Sequence, residues 1–411
     1  MPESKKSSSS PSSVAQAKKP SPSFKNKATA IVGILVALTA SLTYNFARDA
    51  TIDLGLLLGP IEPFNTQGCK VVPGPQACED IHLHRASGLA FTTCGDSEAR
   101  KIWFPPMDKH NATGAPEVAF RDKFVIYDIN TDKYEVMKLE GLPEETDRVF
   151  HGLGVFERSA KDLTIFAVNH RRGGSVIEVL EYSIGDTVVQ YKETIRHPLI
   201  VTPNDIVAMG ERSFYVSNDH RHPTGHMREI EELTRRPWSN IIYYSPESTF
   251  VAYDGIISAN GMTANTDRSK LFVSACHGGA MHVFEPQPDH SLAQLDRVKL
   301  DFYNDNPSFD PNSGSVFITG HVKPLIMTVQ LKQLGVRVDG PSKVVKMTPH
   351  PLHLQDPERY PAYEVETVLV DNGKLISTGT VAAVDRRRGV MLVGTAFSDR
   401  GLVRCPLPEG F

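Results

Sequence analysis

From about residue 67 onward, apolar residues come in short alternating runs, each bounded by Gly, Pro, Asn or Asp. That pattern predicts strands rather than long helices. KFVIYDINTDKYEVMKL reads as two strands around an Asn-Thr-Asp turn, and DLTIFAVNH and SVIEVLEYSI flank an Arg-Arg-Gly-Gly turn. SFYVSND, NIIYYSP, KLFVSACHGGAMHVFEP, SGSVFITG and KLISTGTVAAVDRRRGVMLVGTAF continue the rhythm. One stretch, His226 to Pro237, has helical spacing and predicts a short helix within a loop. Each strand group opens on a similar element: SGLAFTT near Gly88, FHGLGVF near Gly152, PNDIVAM, ANGMTAN, DNPSFDP, and VETVLVDNGKL near Asn372. Their spacing slightly exceeds the ~40–45 residues of a compact propeller blade. Six such units predict an all-β, six-bladed β-propeller, whose ring closure buries the sheet edges. A pair of two-sheet sandwiches is the alternative, and no Pro/Gly/Ser-rich linker divides the region for it.

Upstream the pattern changes. Ala28 to Phe46 is an unbroken run of 19 uncharged residues. At about 1.5 Å per residue that just crosses a bilayer core. Residues 1–27 carry a net +5, whereas residues 49–411 carry a net −10. The excess of Lys before the run places the tail in the cytosol and the large domain in the lumen or outside. A cleaved signal peptide and a buried helix are the competing readings; the long basic lead and the lack of amphipathic spacing count against them. The expected layout is therefore a disordered basic tail (1–27), a transmembrane signal anchor (28–46), a linker (47–66) and a propeller domain (67–411). The chain would be membrane-anchored in the secretory pathway, or secreted if the anchor is cleaved. Overall charge is −4, which leaves no basic excess for nucleic acid.

The five cysteines form no CxxC pair and no zinc spacing. Cys69 and Cys405 lie near the two ends of the globular part, which invites a disulfide closing it, and the odd count leaves at least one thiol unpaired. Asn111-Ala112-Thr113 is a usable glycosylation sequon; Asn306-Pro307-Ser308 is barred by its proline.

The blade-opening elements carry oxygen donors: Glu79-Asp80, Asn204-Asp205, Asn260 and Asp305-Asn306. A propeller brings such positions to its axis, and carboxylate and amide oxygens suit a hard cation such as Ca²⁺. Any one of them alone is more often a turn or cap residue; the recurrence carries the reading.

The segments CEDIHLHRASGLAF, PNDIVAMGERSFYVSNDH, DGIISANGMT, LDFYNDNPSFDPNSG and ISTGTVAAVDRRRGVMLVGTAF make the chain resemble the paraoxonase/arylesterase family from about Cys69 to Cys405. The resemblance implies a six-bladed propeller with two calcium ions, which hydrolyses lactones and aryl esters. Glu79, Asn204, Asn260, Asp305 and Asn306 resemble the ligands of the catalytic ion. Asp80, Asp205 and the Leu153 carbonyl resemble those of the structural ion. His151 and His170 resemble the family's dyad, the first as general base on water and the second orienting it, with calcium polarising the carbonyl. Asp219, His220 and His321 match pocket positions, and Cys69 with Cys405 matches the family's disulfide. Two departures stand out. TTCGDSEARKIWF has no Tyr where the family carries a lid aromatic, and Gly320 replaces a free cysteine, while Cys276 sits elsewhere. The alternative reading from another class is a silent, calcium-stabilised propeller used as a lumenal binding platform.

Overall fold

The β-rich runs form antiparallel strands in the computed structural model, which describes residues 24–110, 120–408 and 410–411. Four sheets have four strands each. An eight-stranded sheet is two such meanders, joined where Lys133–Glu140 runs parallel to Val188–Ile195. The innermost strands are Cys78–His84, Phe150–Glu157, Pro203–Ala208, Ala259–Ala264, Tyr303–Asp310 and Gly379–Asp385. Each packs on the next and the last returns to the first, which makes the fold all-β and propeller-like.

The ring closes between the first and last strands of the β-rich region. Lys70–Val71 pairs antiparallel with Leu402–Pro406, and the Cys69–Cys405 disulfide lies beside that pairing. Apolar side chains fill the wedges between neighbouring four-stranded meanders. Phe91, Phe124, Leu163 and Leu180 fill one wedge; Phe166, Ile206, Phe214 and Ile242 fill the next. The core is thus a circle of sheet-to-sheet contacts, which leaves the axis to polar residues.

Two expected blade openings are corrected. SGLAFTT lies largely in Leu89–Cys94, the second strand of its sheet, and VETVLVD belongs to Tyr363–Asp371, an outermost strand. Both runs are apolar and turn-bounded, so local pattern does not distinguish an axial strand from its neighbours. All six axial strands carry a break in register against their second strand, as several outer strand pairs also do. The breaks fall between Cys78 and Ile81, Phe150 and Leu153, Pro203 and Ile206, Ala259 and Met262, Asn304 and Pro307, and Gly379 and Val381. A bulge re-aims side chains and frees backbone groups from the ladder.

The helix expected after His226 spans His226–Thr234 and stops at Arg235, whose φ of 52° is left-handed. Two short helices were not expected from the sequence, Ser97–Ile102 and Pro324–Gln330. Asp96 caps the first by accepting the N–H groups of Glu98 and Ala99. The chain divides into two compact units, Met1–Ala50 and Thr51–Phe411. A helix over Phe24–Asp53 contains the apolar run and continues into the stretch expected as linker. Within it, Ile31–Arg48 is long and apolar enough to cross a membrane. Residues 1–23 and the sequon Asn111 lie outside the described residues.

Candidate active site

The register breaks coincide with the predicted donors. Glu79-Asp80, His151, Asn204-Asp205, Asn260 and Asp305-Asn306 all fall within them. Glycines permit the close approach that follows. A Cβ on Gly152 would stand 2.4 Å from the Asn204 carbonyl and 2.5 Å from Asp205 Oδ1; one on Gly261 would stand 2.1 Å from Asn306 Oδ1. Neither position admits a side chain.

Among the five residues expected at the catalytic ion (here the upper set), Asn306 Nδ2 donates to Glu79 Oε1 at 2.7 Å, and His321 Nε2 lies 3.1 Å from Asp305 Oδ2. The Gly261 N–H donates to Asn260 Oδ1 at 2.6 Å. Four buried oxygens of this set, Glu79 Oε2, Asn204 Oδ1, Asp305 Oδ1 and Asn306 Oδ1, have no hydrogen-bond partner among the described residues. Buried acceptors are rarely left so. Burial pushes the Glu79 carboxyl up; His151 opposes this, while the charges of Asp305 and Asp80 add to it.

The residues expected at the structural ion are arranged differently. Asp80 accepts the N–H groups of Ile81 (2.7 Å) and Leu153 (2.9 Å). Asp205 accepts those of Ile206 (2.7 Å) and Met262 (2.6 Å). Both carboxylates thus brace the freed backbone of neighbouring bulges. Burial and the adjacent Asp80 charge hold the Asp205 carboxyl well above the usual range. Leu153 meets Asp80 through its N–H. His82, which the sequence reading missed, stands 3.3 Å from Asp80 Oδ2.

His151 and His170 are neighbours. His151 Nδ1 lies 3.1 Å from His170 Nε2, and His170 Nδ1 lies 2.8 Å from Ser175 Oγ. His151 Nε2 faces Glu79 Oε1 at 3.5 Å. Both rings are buried. Burial and the His151 charge hold His170 well below the usual imidazole range. Burial also works against charge on His151, but Glu79 outweighs it and raises that ring.

The stretch without a lid Tyr supplies another aromatic. The Phe104 ring packs edge-on against His151 at 5.0 Å and His170 at 5.9 Å between centroids. Trp103 Nε1 donates to the His170 carbonyl at 2.7 Å. The Trp-Phe-Pro-Pro run was the available sequence signal, but its contact with the dyad is a tertiary fact. A cavity of about 280 Å³ opens beside His170 and Asp219, walled by Trp103, Pro105, Pro106 and Val201. Asp219 Oδ1 lies 2.9 Å from His220 Nδ1, and His220 Nε2 lies 3.3 Å from Glu232 Oε1. Gly320 packs flat against the Tyr303 carbonyl, where a Cβ would stand at 2.0 Å, so this backbone has no room for a cysteine there.

Cys78 and Cys94 form a second disulfide, directly across from one another at the edge of the Glu79 bulge. Sixteen residues separate them, and nothing in their spacing marked them as a pair. Cys276 is the free, buried thiol. Among the described residues no three His, Cys, Asp or Glu side chains gather as a metal cluster. The upper donor set differs from such a cluster because amides supply three of its five side chains.

Residues 61–405 match the arylesterase family model. The chain belongs to the arylesterase family. Curated relatives include serum paraoxonase/arylesterase 2 of Bos taurus, 27% identical over 353 residues, covering 82% of this chain and 88% of the relative. Human serum paraoxonase/lactonase 3 is 27% identical over 343 residues, with the same two coverages of 82% and 88%. Among solved structures, a luciferin-regenerating enzyme aligns over 85% of this chain and 96% of its own, with TM-score 0.48 and 13% identity.

Proposed function

We propose that this arylesterase-family chain hydrolyses aryl esters and lactones at the axial site, with His151 as general base and His170 as its partner. The observation that carries the reading is the imidazole pair, set 3.1 Å apart beside a converging group of oxygen donors. General-base action uses one of the tautomers these contacts allow, in which Ser175 Oγ accepts from His170 Nδ1–H and His170 Nε2 accepts from His151 Nδ1–H. His151 Nε2 then offers its lone pair toward the Glu79 side, where it takes a proton from water. The resulting imidazolium is held by His170 on one side and Glu79 on the other. Phe104 excludes bulk water from both rings.

The upper donors fit a calcium ion. Glu79, Asn204, Asn260, Asp305 and Asn306 would hold it, and the unpartnered oxygens on four of them are the acceptors a hard cation takes. When bound, such an ion supplies positive charge where the carbonyl oxygen becomes anionic. Asp80, Asp205 and the Leu153 carbonyl would hold a second, structural ion, which offsets the like charges of the two aspartates. Asp219 lines the cavity beside His170, with His220 paired to it, and His321 meets Asp305 on the donor side. The platform reading gains nothing here, since binding alone needs no hydrogen-bonded imidazole pair.

We place the domain in the lumen or outside, tethered by the helix that contains residues 28–46. Two disulfides fit an oxidising compartment. The deciding assay is phenyl acetate and an aliphatic lactone, each with and without chelator. Turnover lost in EDTA and restored by Ca²⁺ supports the reading, and turnover indifferent to prolonged chelation overturns the calcium assignment. Carbonate washing of membranes tests the anchor; release of the intact chain would remove it.

A further inference from the structure

The short helix Ser97–Ile102 carries a charge that the dyad does not use. Arg100 is 1% exposed. Its Nη2 donates to Asp122 Oδ2 and to the Phe150 carbonyl, each at 2.9 Å, and its Nη1 donates to the Ala396 carbonyl at 3.1 Å. The same Asp122 oxygen accepts the Phe150 N–H at 2.9 Å. Both backbone polar groups of Phe150 therefore end on one buried ion pair, one residue before His151. They need such partners because the register breaks between Phe150 and Leu153.

The grip extends to both sides of the dyad. The Arg100 guanidinium stands 5.1 Å over the Phe104 ring, and Phe104 packs at 5.1 Å on Phe397, next to Ala396. Gly95 leaves space for the pair; a Cβ there would lie 2.5 Å from Asp122 Oδ1 and 2.8 Å from Arg100 Nε. On the far flank, Asn169 accepts the Val149 N–H and donates to the Asp147 carbonyl, each at 2.9 Å, and the His170 N–H donates to the Val149 carbonyl at 2.9 Å. A buried ion pair is a poor source of stability, because desolvation offsets its attraction and apolar residues of like volume do as well. It adds direction, through donors and acceptors held at set angles.

We infer that Arg100 and Asp122 are positioning residues, which hold the Phe150–His151 backbone and through it the contact between the two imidazoles. Neither faces the reacting atoms. The kinetic part of this inference rests on the hydrolytic reading; the geometric part does not.

The test uses the full chain with Arg100→Met and Asp122→Leu together, which removes both charges and leaves no buried ion alone. Arg100→Lys is the second variant, keeping the charge while losing the forked donor. The double variant leaves the Phe150 N–H and the Phe150 and Ala396 carbonyls without these side-chain partners, so it is expected to fold but to melt below the parent temperature. Its kcat on phenyl acetate and lactone should fall roughly 10- to 100-fold with KM little changed, the cost of a misplaced catalytic group. In the parent, the ring N–H shared by His151 and His170 should give an exchange-protected downfield proton resonance, lost in both variants. A folded variant of either kind that keeps parental kcat and that resonance overturns the inference. If the double variant does not fold, Arg100→Lys decides on the same two readouts. A parent without turnover sinks the hydrolase reading alone, and the resonance still decides the positioning role.

Discussion

Two nitrogens of one ring do different work at His151: Nδ1 meets His170 and Nε2 faces Glu79. His151→Gln retains bulk and polarity but cannot take a proton. Lactone turnover should fall on the order of 10²–10⁴-fold, while circular dichroism and calcium binding stay at parental values. Aryl esters, with better leaving groups, should lose less. Unchanged lactonase rate in this variant would remove His151 as the base. Asp305 differs because one of its oxygens meets His321 and the other has no partner among the described residues. Asp305→Ala should weaken calcium binding in a titration and abolish turnover together. Loss of turnover with unchanged calcium affinity would take Asp305 out of the ligand set.

At the scale of single elements, the helix His226–Thr234 is tied to the site by charge. Glu232 meets both His220 and Arg228, and Arg228 Nη2 donates to the Pro106 carbonyl at 2.8 Å, in the segment that follows Phe104. Burial alone would lower the His220 imidazole, but Asp219 and Glu232 push it up to about 9. Asp219, against its burial, is held down to about 2 by His220. The raised imidazole stabilises the fold fully below its unfolded pKa of about 6.5, and that stabilisation disappears as pH rises through about 9. Thermal melts should therefore decline between these limits, and His220→Gln should flatten this part of the profile. An equal slope in the variant would place the titration elsewhere. The hairpin Cys78–His84 with Leu89–Cys94 has its own tie in the Cys78–Cys94 bond. Replacing both cysteines by Ser reopens a short loop, with an expected loss of about 3 kcal/mol in denaturant unfolding.

For the whole molecule, ring closure is the weak point, because the edge strand that completes the last sheet is only Lys70–Val71. The Cys69–Cys405 bond spans 336 residues and holds that strand in place. Chain-entropy reasoning assigns so long a loop up to ~5 kcal/mol. Cys69→Ser should accordingly lower the unfolding midpoint more than loss of the Cys78–Cys94 bond. The reverse order would show that local hairpin geometry outweighs closure.

Much of the architecture was legible because propeller strands announce themselves locally. Strand runs, turn residues, the helix after His226 and the axial donors at Glu79, Asn204, Asn260 and Asp305 all stand out in the chain. The apolar run at Ala28–Phe46 is equally plain, since bilayer length and absence of charge are properties of contiguous residues. Contacts between distant segments were not legible. Gly88 and Asn372 looked like axial openings because a second or outermost strand has the same composition as an innermost one. Cys78 with Cys94, Phe104 over the dyad, and Arg100 with Asp122 at Phe150 each join segments whose proximity depends on how the sheets close. The bulges that carry the donors meet only because closure brings the six innermost strands side by side. Residue type and order therefore determined which groups could do the chemistry, and packing around that axis decided which of them meet.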